Sequence, residues 1–422
     1  MILSSKISKK KNPLSARRSL KGEQYGSPLR YIDIIYQEVF PIKRLYSLFC
    51  ALLLTFCSFI SASPAGALAS GFGLEYVAGD EFVEEDAADE DADSPYEEDG
   101  SILVTISATG DVTIGGDVRK SGKSLFDKQL DKQDGDITFP FRNVKDIFNQ
   151  DDLTIVNFEG TLTTAPINKE KKNNSFLFSA PPEYAAMFEG SGIEAVSLEN
   201  NHVMDHGEAG YADTCTALDD AGILYSGHLG SSIYTTETGV KIGMLSYQTF
   251  NGKYPEIYEN MPGDIQALRD EGCQIVVVSY HWGEEKDYAP NERQVPLGRA
   301  TIDAGADLVL GHHSHRINPI EYYKGKYICY SLGNFSFAGN GKPEDMDTYI
   351  FQQRIRVKPD GTVEDAGMRI IPCRISSIAK SNDFMPTPFE EGGKDALRIA
   401  KKLVDLGKKL EYGLDEYPLD WE

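Results

Sequence analysis

Polar side chains that commonly bind metals follow five apolar segments of the chain, each at the point where the segment ends. They are Asp111; Asn157 and Glu159; Asn200, Asn201, His202, Asp205 and His206; His281; and His312, His313 and His315. Of the seven histidines, only His228 lies elsewhere. Because ligands bind at the carboxyl ends of strands in layered α/β folds, the pattern predicts that five segments deliver these groups to one region.

Imidazole nitrogens and carboxylate oxygens suit a pair of divalent metals, often with one bridging carboxylate. Two metals about 3.5–4 Å apart can hold a hydroxide and neutralise charge on a phosphoryl group. Side chains alternate along an extended segment, so the rings of His313 and His315 are expected on one side, each able to bind one metal. Singly, Asp111 or Asn201 could be turn formers and His281 a half-buried histidine. Their occurrence together favours the metal site.

Strand-like and helix-like segments alternate around these positions. Short apolar runs predict buried strands at residues 102–108, 153–157, 195–198, 241–247, 275–280 and 308–310. Helices are predicted between them at residues 142–150, 182–189, 210–221, 263–271 and 292–304. Hairpin turns are predicted at residues 323–327 and 359–361, and an amphipathic helix at 394–410. This order predicts a layered α/β domain.

The amino-terminal part of the chain differs from the rest in charge and hydropathy. Residues 1–44 carry ten Lys/Arg and three acidic residues, whereas residues 45–69 carry no charge. A basic flank, an apolar stretch of about 18 residues and small residues up to Ala69 predict either a signal peptide or an uncleaved membrane anchor. Both place the following chain outside the cytoplasm, on the extracellular face of the cell membrane or secreted if cleavage follows Ala69.

The acidic run that follows is too poor in apolar residues to order itself. We therefore predict five parts. They are a basic tail at 1–44, a signal peptide or anchor at 45–69, an acidic disordered linker at 70–100, a domain at 101–376, and a C-terminal extension with an amphipathic helix at 377–422.

The composition excludes several classes of protein. With 422 residues, 41% hydrophobic and 25% charged, the chain is not wholly disordered, a collagen or a polytopic membrane protein. A formal net charge of −23 argues against a nucleic-acid partner, since such binding needs a basic face. Four cysteines beyond the apolar segment form no C-x-x-C pair, which argues against a thiolate zinc site but leaves disulfides open: Cys215, Cys273, Cys329 and Cys373.

Six short motifs occur in order along the chain. They are Gly110-Asp111, Asn157-Phe158-Glu159-Gly160, Asn200-Asn201-His202-x-x-Asp205-x-Gly207, His281-Trp282-Gly283, Gly311-His312-His313-x-His315 and Ser331-Leu332-Gly333-Asn334-Phe335. Together they resemble the motifs of the CapA/PgsA family of bacterial capsule-biosynthesis proteins, associated with poly-gamma-glutamate. The resemblance covers about residues 102–337. It implies a four-layered, calcineurin-like metallophosphatase-type sandwich holding two divalent metals of Mn, Zn or Fe.

The resemblance also implies roles for single residues. The implied metal ligands are Asp111, Glu159, Asn201, His281, His313 and His315, with Glu159 as the bridge. His202 is implied to contact the phosphate and to protonate the leaving group, and Asp205 to hold His202. Two departures stand out. The wider superfamily begins Asp-x-His, whereas Thr113 stands here, and Glu159 is one methylene longer than the usual bridging aspartate.

The implied function is synthesis, attachment or export of an anionic surface polymer, with metal-assisted hydrolysis or transfer as its chemistry. The implied partners are that polymer, membrane subunits of capsule synthesis, and the membrane itself through the N-terminal segment. The alternatives are a non-catalytic membrane-anchored subunit and a general two-metal phosphoesterase. A P-loop is disfavoured because Asp117 stands where Gly122-Lys123-Ser124 requires a preceding glycine. A serine hydrolase is disfavoured because no G-x-S-x-G lies near the strand ends.

Overall fold

The computed structural model of the protein describes residues 96–171, 176–228 and 230–421. The predicted basic tail, the signal peptide or anchor, and all but the last residues of the acidic linker lie outside these ranges. Within them, no helix is long and apolar enough to cross a membrane. The predicted limits of the domain and its C-terminal extension stay predictions.

The described residues form sixteen strands and seven α-helices. The strands are β1 (Ile102–Thr113), β2 (Gly116–Asp117), β3 (Leu153–Phe158), β4 (Phe178–Ser179), β5 (Ala195–Leu198), β6 (Leu224–Gly227), β7 (Ser232–Thr235), β8 (Lys241–Gln248), β9 (Ile275–His281), β10 (Leu308–His312), β11 (Ile320–Tyr323), β12 (Lys326–Cys329), β13 (Asn334–Phe337), β14 (Asp347–Val357), β15 (Val363–Arg374) and β16 (Thr387–Pro388). The helices are α1 (Leu125–Lys132), α2 (Lys145–Phe148), α3 (Ala186–Glu189), α4 (Gly207–Asp220), α5 (Tyr254–Asp270), α6 (Gln294–Asp303) and α7 (Lys394–Gly407). Single 3₁₀ turns occupy Phe139–Phe141 and Pro182–Ala185.

Two large sheets organise the chain. The first has the order β16-β15-β14-β1-β3-β5-β6, with β13 also paired to β1, and the second has the order β11-β12-β10-β9-β8-β7. Strands β1, β3, β5 and β6 run parallel, as do β8, β9, β10 and β12. The carboxyl ends of these strands therefore meet at one edge of each sheet, and the loops that follow them lie there.

Alternating side chains of the strands face different cores. In β9, Ile275 and Val277 pack in a core shared by both sheets, whereas Val276 and Val278 pack with residues of α5 and α6. The outer side of the first sheet packs with α4 and the segments around α1 to α3. A strand covered on both faces must be apolar throughout, which explains the unbroken apolar run in β9. The architecture is mixed α/β and consistent with the predicted sandwich.

The predicted strands and hairpins are confirmed, while two helices differ from their predicted extent. Prediction placed a helix at 142–150, but α2 covers only Lys145–Phe148. Helix α5 begins at Tyr254, well before the predicted start at 263, and so contains Pro262. An interior proline costs about 3 kcal/mol. The buried face of α5, which includes Met261 and Ile265, offsets this cost, and a local rule about proline could not foresee that packing.

The amphipathic helix near the C-terminus is confirmed as α7. Its residues Ile399 and Leu403 are fully buried in the core between the two sheets. Helix α7 also lies against β11 and β15, one strand from each sheet. This helix therefore covers apolar surface at one side of the sandwich. The four cysteines of the described residues are buried and free.

Candidate functional site

A close backbone approach between β1 and β13 sets the position of the first site residue. A Cβ atom on Gly110 would lie 2.0 Å from the carbonyl oxygen of Gly333, so β1 needs glycine at this position. The next residue, Asp111, donates its backbone N–H to that same oxygen at 2.8 Å. In this register Asp111 pairs with Asn334 on β13 and with Asn157 on β3. Three polar side chains thus meet at one end of the sheet.

One group of ligand-type atoms forms around His315. Its Nδ1 lies 3.0 Å from Asp111 Oδ2 and 2.9 Å from Asn334 Oδ1. Neighbouring ligands in an octahedral shell, each about 2.1 Å from a metal, are separated by about 3 Å. The three atoms therefore have the spacing of adjacent ligands on one ion.

A second group forms around His281, at the end of β9. Its Nε2 lies 2.8 Å from Asn201 Oδ1 and 3.0 Å from His313 Nδ1. One ring nitrogen cannot satisfy two such neighbours through a single proton, whereas all three atoms can donate lone pairs to one cation. The structure thus brings five of the six predicted ligands together in two groups, and Glu159 is the sixth.

Glu159 lies between the two groups. Its Oε1 is 3.9 Å from His281 Nε2 and 3.9 Å from His315 Nε2. The residue is fully buried, and neither carboxylate oxygen has a hydrogen-bond partner among the described residues. A buried, unpaired carboxylate is costly, and a cation would remove that cost. Asp111, Glu159 and His315 also place ligand atoms within 4.8 Å of one another, which suits a metal ion.

The electrostatics of the metal-free site favour neutral forms of His281, His313 and Glu159. Burial lowers the pKa of His281 well below its usual value, and neighbouring histidines lower it further. Burial likewise lowers the pKa of His313 to about 4. Above that pH these rings are neutral, the form that binds metals. Burial raises the pKa of Glu159 well above its ordinary value, and the positive charge of His315 opposes this shift only in part.

His315 behaves in the opposite way. Burial opposes its protonation, but Glu159 and Asp111 together raise its pKa to about 9. In the metal-free protein the His315 proton therefore supplies the positive charge that the two carboxylates require. A divalent cation would replace that proton.

His202 and Asp205 form a separate pair beside the groups. His202 Nδ1 lies 2.7 Å from Asp205 Oδ2, and the other ring nitrogen lies 3.7 Å from Glu159 Oε1. Asp205 is fully buried and also accepts the backbone N–H of Phe178 at 2.9 Å and the Lys171 ammonium at 3.1 Å. Asp205 is thus rigidly held, and it fixes the orientation of the His202 ring.

His313 and His315 do not lie on an extended segment, so the predicted reason for their placement is wrong. Strand β10 ends at His312, and the φ angles of His313 and His315 are 94° and 54°. This left-handed conformation costs a non-glycine residue of order 1–3 kcal/mol. It turns the two rings into different groups, one beside His281 and the other beside Asp111.

Two site residues were absent from the predicted ligand set. Asn334 belongs to the Ser331-Leu332-Gly333-Asn334 motif, but only the pairing of β1 with β13 shows that it lies beside Asp111. His312 is buried, lies 3.6 Å from Asp111 Oδ1, and has no partner at either ring nitrogen among the described residues. The signal that could have identified His312 as a site residue is its position beside His281 in the β9–β10 register.

Two further polar residues have structural partners. Thr113, at the position of the missing histidine, donates its hydroxyl to the backbone carbonyl of Glu159 at 2.7 Å. His206 is not part of either group. His206 lies at the start of α4, and its ring Nδ1 is 3.0 Å from Thr161 Oγ1.

A cavity of about 360 Å³ opens onto this site. Four of its lining residues belong to the groups just described or to the adjacent pair: Glu159, His202, His315 and Asn334. The site is therefore reachable by a ligand, and its floor carries carboxylate, imidazole and amide groups. Such a floor suits metal-dependent chemistry on a phosphoryl or acyl group.

Comparison with known proteins agrees with this geometry. The sequence model of a family described as "Bacterial capsule synthesis protein PGA_cap" matches residues 105–338, a range that contains every residue of both groups. The chain is 29% identical over 330 residues to the PGA biosynthesis protein CapA of Bacillus subtilis (strain 168), covering 74% of this chain and 83% of that protein. It is 30% identical over 239 residues to the capsule biosynthesis protein CapA of Bacillus anthracis, covering 52% and 58%.

Proposed function

Because the chain belongs to the PGA_cap family of bacterial capsule synthesis proteins, we propose that it takes part in the biosynthesis of a poly-gamma-glutamate capsule. Its place in that process is the synthesis, attachment or export of the anionic polymer. The proposed fold is the four-layered, calcineurin-like metallophosphatase sandwich. The two sheets with a shared core, and the helices on their outer faces, support this assignment.

The proposed chemistry is metal-dependent hydrolysis or transfer. One observation carries it: Glu159 is fully buried between two groups of ligand-type atoms, and its oxygens have no partner among the described residues. Structural carboxylates are paired with protein donors, because an unpaired buried charge destabilises the fold. Two divalent cations would neutralise charge on the reacting group and lower the pKa of a bound water.

The residues of the chain have distinct roles in this proposal. Glu159 lies between the two groups and bridges them. The first group consists of Asp111, Asn334 and His315. The second consists of Asn201, His281 and His313. His202 presents its free ring nitrogen toward the reacting group and passes a proton to the leaving atom. Asp205 is a positioning residue, since its contact with His202 Nδ1 fixes the orientation of that ring.

Asn334 supplies the ligand that the missing motif-one histidine would have provided. Its Oδ1 lies 2.9 Å from the shared His315 nitrogen, while Thr113 is committed to a backbone carbonyl. A neutral carbonyl oxygen is a harder ligand than imidazole, so this exchange favours Mn over Zn in the first position.

A non-catalytic subunit is the second candidate function, and Thr113 favours it. Without the motif-one imidazole the first metal has one fewer nitrogen ligand, and the site could be structural. The proposed location is the same for both candidates: the extracellular face of the membrane, held there by the N-terminal segment and by membrane subunits of capsule synthesis.

The test separates pathway from chemistry. Deleting the gene in the source organism should reduce surface poly-gamma-glutamate, and the full-length chain should restore it. His281→Ala and His313→Ala should fail to restore it, whereas His228→Ala, at an exposed histidine outside both groups, should succeed. Polymer levels independent of the gene would contradict the proposed pathway. Full restoration by His281→Ala and His313→Ala would contradict the metal chemistry and support the non-catalytic subunit.

A further inference from the structure

The cavity over the site has one aromatic side. Phe176 stacks on Phe178 with ring centroids 5.9 Å apart, and Phe178 meets Phe337 edge-on at 5.8 Å. Phe176 is 46% exposed, a large fraction for a phenylalanine at the mouth of a polar site. These three rings offer apolar surface to a ligand whose reacting group lies at Glu159 and His315.

The other side of the cavity is charged. It carries Lys286, Arg316 and Lys342, together with Glu285 and Glu344. Lys286 and Lys342 are exposed, and neither forms an ion pair with any described residue. In a chain with a net charge of −23, unpaired cations gathered around one cavity are a local exception. The same lining also carries the carboxyl groups of Glu159, Glu285 and Glu344, so the cations favour an anionic occupant once bound metal ions offset that negative charge.

Arg316 is the most strongly placed of these cations. Its side chain is only 11% exposed, and its Nη1 donates to the backbone carbonyl of His315 at 2.9 Å. Nη2 lies 3.9 Å from Glu344, whose side chain is 88% exposed. The Nε–H of Arg316 is buried and has no acceptor among the described residues. Because the Nε–H is buried, the donors left for a ligand are those of Nη2, which lies beyond hydrogen-bond distance of Glu344.

We propose that this cavity binds a segment of a carboxylate-bearing chain, with Arg316 holding one carboxylate and the three phenylalanines packing against the methylene groups between carboxylates. The inference rests on the proposed function and deepens it by naming the substrate-binding residues. Lys286 and Lys342 attract neighbouring carboxylates of the same chain. A γ-linked glutamate chain has this chemistry, since each repeat joins a carboxylate to two methylene groups.

The favoured occupant is a polymer segment because the cations are spread along one wall. Lys286 follows β9, Arg316 follows β10, and Lys342 follows β13, so three separate loops contribute positive charge. A single phosphate group would contact one or two of them. A chain with a charge on every repeat can contact all three while its apolar part covers the aromatic side.

The experiment measures binding of a short, fluorescently labelled γ-linked glutamate oligomer to the metal-loaded full-length protein by anisotropy. The uncharged γ-linked isoglutamine oligomer of equal length, in which carboxamides replace the free α-carboxylates, is the matched probe. The glutamate oligomer should bind, and added salt should weaken it. The isoglutamine oligomer should bind at least about tenfold more weakly. Equal binding of the two oligomers would overturn the proposal, as would binding of inorganic phosphate that displaces the oligomer completely at equal concentration.

Variants test the named residues. Arg316→Gln should weaken binding of the glutamate oligomer by about tenfold, since a charge-assisted hydrogen bond is worth roughly 1.5–3 kcal/mol. Phe176→Ala should weaken both oligomers equally. Arg398→Gln, at a surface arginine of α7 with a partly exposed side chain, is the control and should change nothing. Unchanged binding in Arg316→Gln would overturn the assignment of Arg316.

Metal content separates this inference from the proposed function. Arg316→Gln should retain the metal content of the parent protein, so that lost binding reflects the cavity and not the site. A protein that holds no metal yet binds the oligomer through Arg316 would contradict the proposed chemistry and keep the inference. A protein that holds two metals but binds no oligomer would overturn this inference and leave the proposed chemistry standing.

Discussion

Acidic side chains lie at both ends of the parallel strands, but they have different roles at the two ends. At the carboxyl ends, Glu159 is buried with no partner, and His312 is buried with neither ring nitrogen bonded. At the amino ends, buried acidic residues have fixed partners. Asp307 accepts the backbone N–H of Val276 at 2.8 Å and also pairs with Arg269.

The pattern at the amino ends repeats from strand to strand. Asp152, just before β3, accepts the backbone N–H of Thr105 on β1 at 2.8 Å. Glu194, just before β5, accepts that of Thr154 on β3 at 2.8 Å. Each acidic residue thus satisfies an amide of the neighbouring strand, as Asp307 does between β10 and β9. These carboxylates stabilise the sheet and need no cation.

The difference teaches what distinguishes a site from a structural acid. Burial and negative charge occur at both ends of the strands, so neither identifies the site. The missing partners do. Asp152, Glu194 and Asp307 each accept a protein donor, and Asp151 lacks a partner at one oxygen only. Glu159 has no hydrogen-bond donor at either oxygen among the described residues. The first two predictions below set the two ends against each other, and the others refine each end.

The largest expected effect is at the bridging residue. Glu159→Gln should lower metal affinity at least about 100-fold, because the only carboxylate between the two groups loses its charge. Hydrolysis of a phosphoester should fall to background. Elemental analysis of the purified full-length protein measures the first effect. Asp152→Asn, the matched change at the opposite end, should keep both metals, and equal metal loss in the two variants would contradict the comparison.

The reverse result is expected at the amino ends. Asp307→Ala should lower the free energy of unfolding by about 2–3 kcal/mol, since it removes the acceptor of the Val276 amide and the carboxylate that pairs with Arg269. Metal content should stay that of the parent. Urea denaturation followed by circular dichroism gives the stability. A stable variant that has lost its metals would show that the two ends are not functionally separate.

A smaller effect is expected for the neutral ligand. Asn334→Ala should weaken one of the two metals about 10- to 100-fold and leave the other bound, because Asn201, His281 and His313 form a separate group. Titration with Mn²⁺ followed by electron paramagnetic resonance distinguishes the two ions. Asn260→Ala, on the exposed side of α5, serves as the control. Simultaneous loss of both ions would show that the groups are not independent.

An effect on pH dependence alone, with no change in metal content, is expected at Asp151, also at the amino ends. Burial raises its pKa to about 8, although hydrogen bonds from Ser107 and Thr154 oppose the shift. Between about pH 4 and pH 8 the native state therefore keeps a proton that the unfolded state has lost. Stability should fall as the pH rises through this window, by at most about 1.4 kcal/mol per unit. Asp151→Asn should flatten that dependence in denaturation curves, and an unchanged slope would contradict the shift.

Most of the fold could be predicted from the sequence, because strands covered on both faces leave unbroken apolar runs and glycines end the helices. The structure confirms every predicted strand, both hairpins and the amphipathic helix. Helix α5 could not be delimited, since Pro262 is an unfavourable local signal that only tertiary packing offsets.

The candidate site could be predicted as a set of residue types but not as a geometry. Strand ends located Asp111, Glu159 and His281, because those residues follow apolar runs directly. Asn334 could not be placed beside Asp111, since the pairing of β1 with β13 joins segments more than 200 residues apart. The positive φ angles of His313 and His315 could not be predicted either, because no glycine or other specific turn signal marks these two positions in the sequence.

The central claim is that Glu159 is buried without a partner because it binds cations. Elemental analysis of the full-length protein, after dialysis against Mn²⁺, Zn²⁺ or Fe²⁺, tests it most directly. Two bound ions per chain in the parent, two in Asp152→Asn and none or one in Glu159→Gln are the predicted result. A parent protein that retains none of these metals, or that retains as many after Glu159→Gln, would contradict the account.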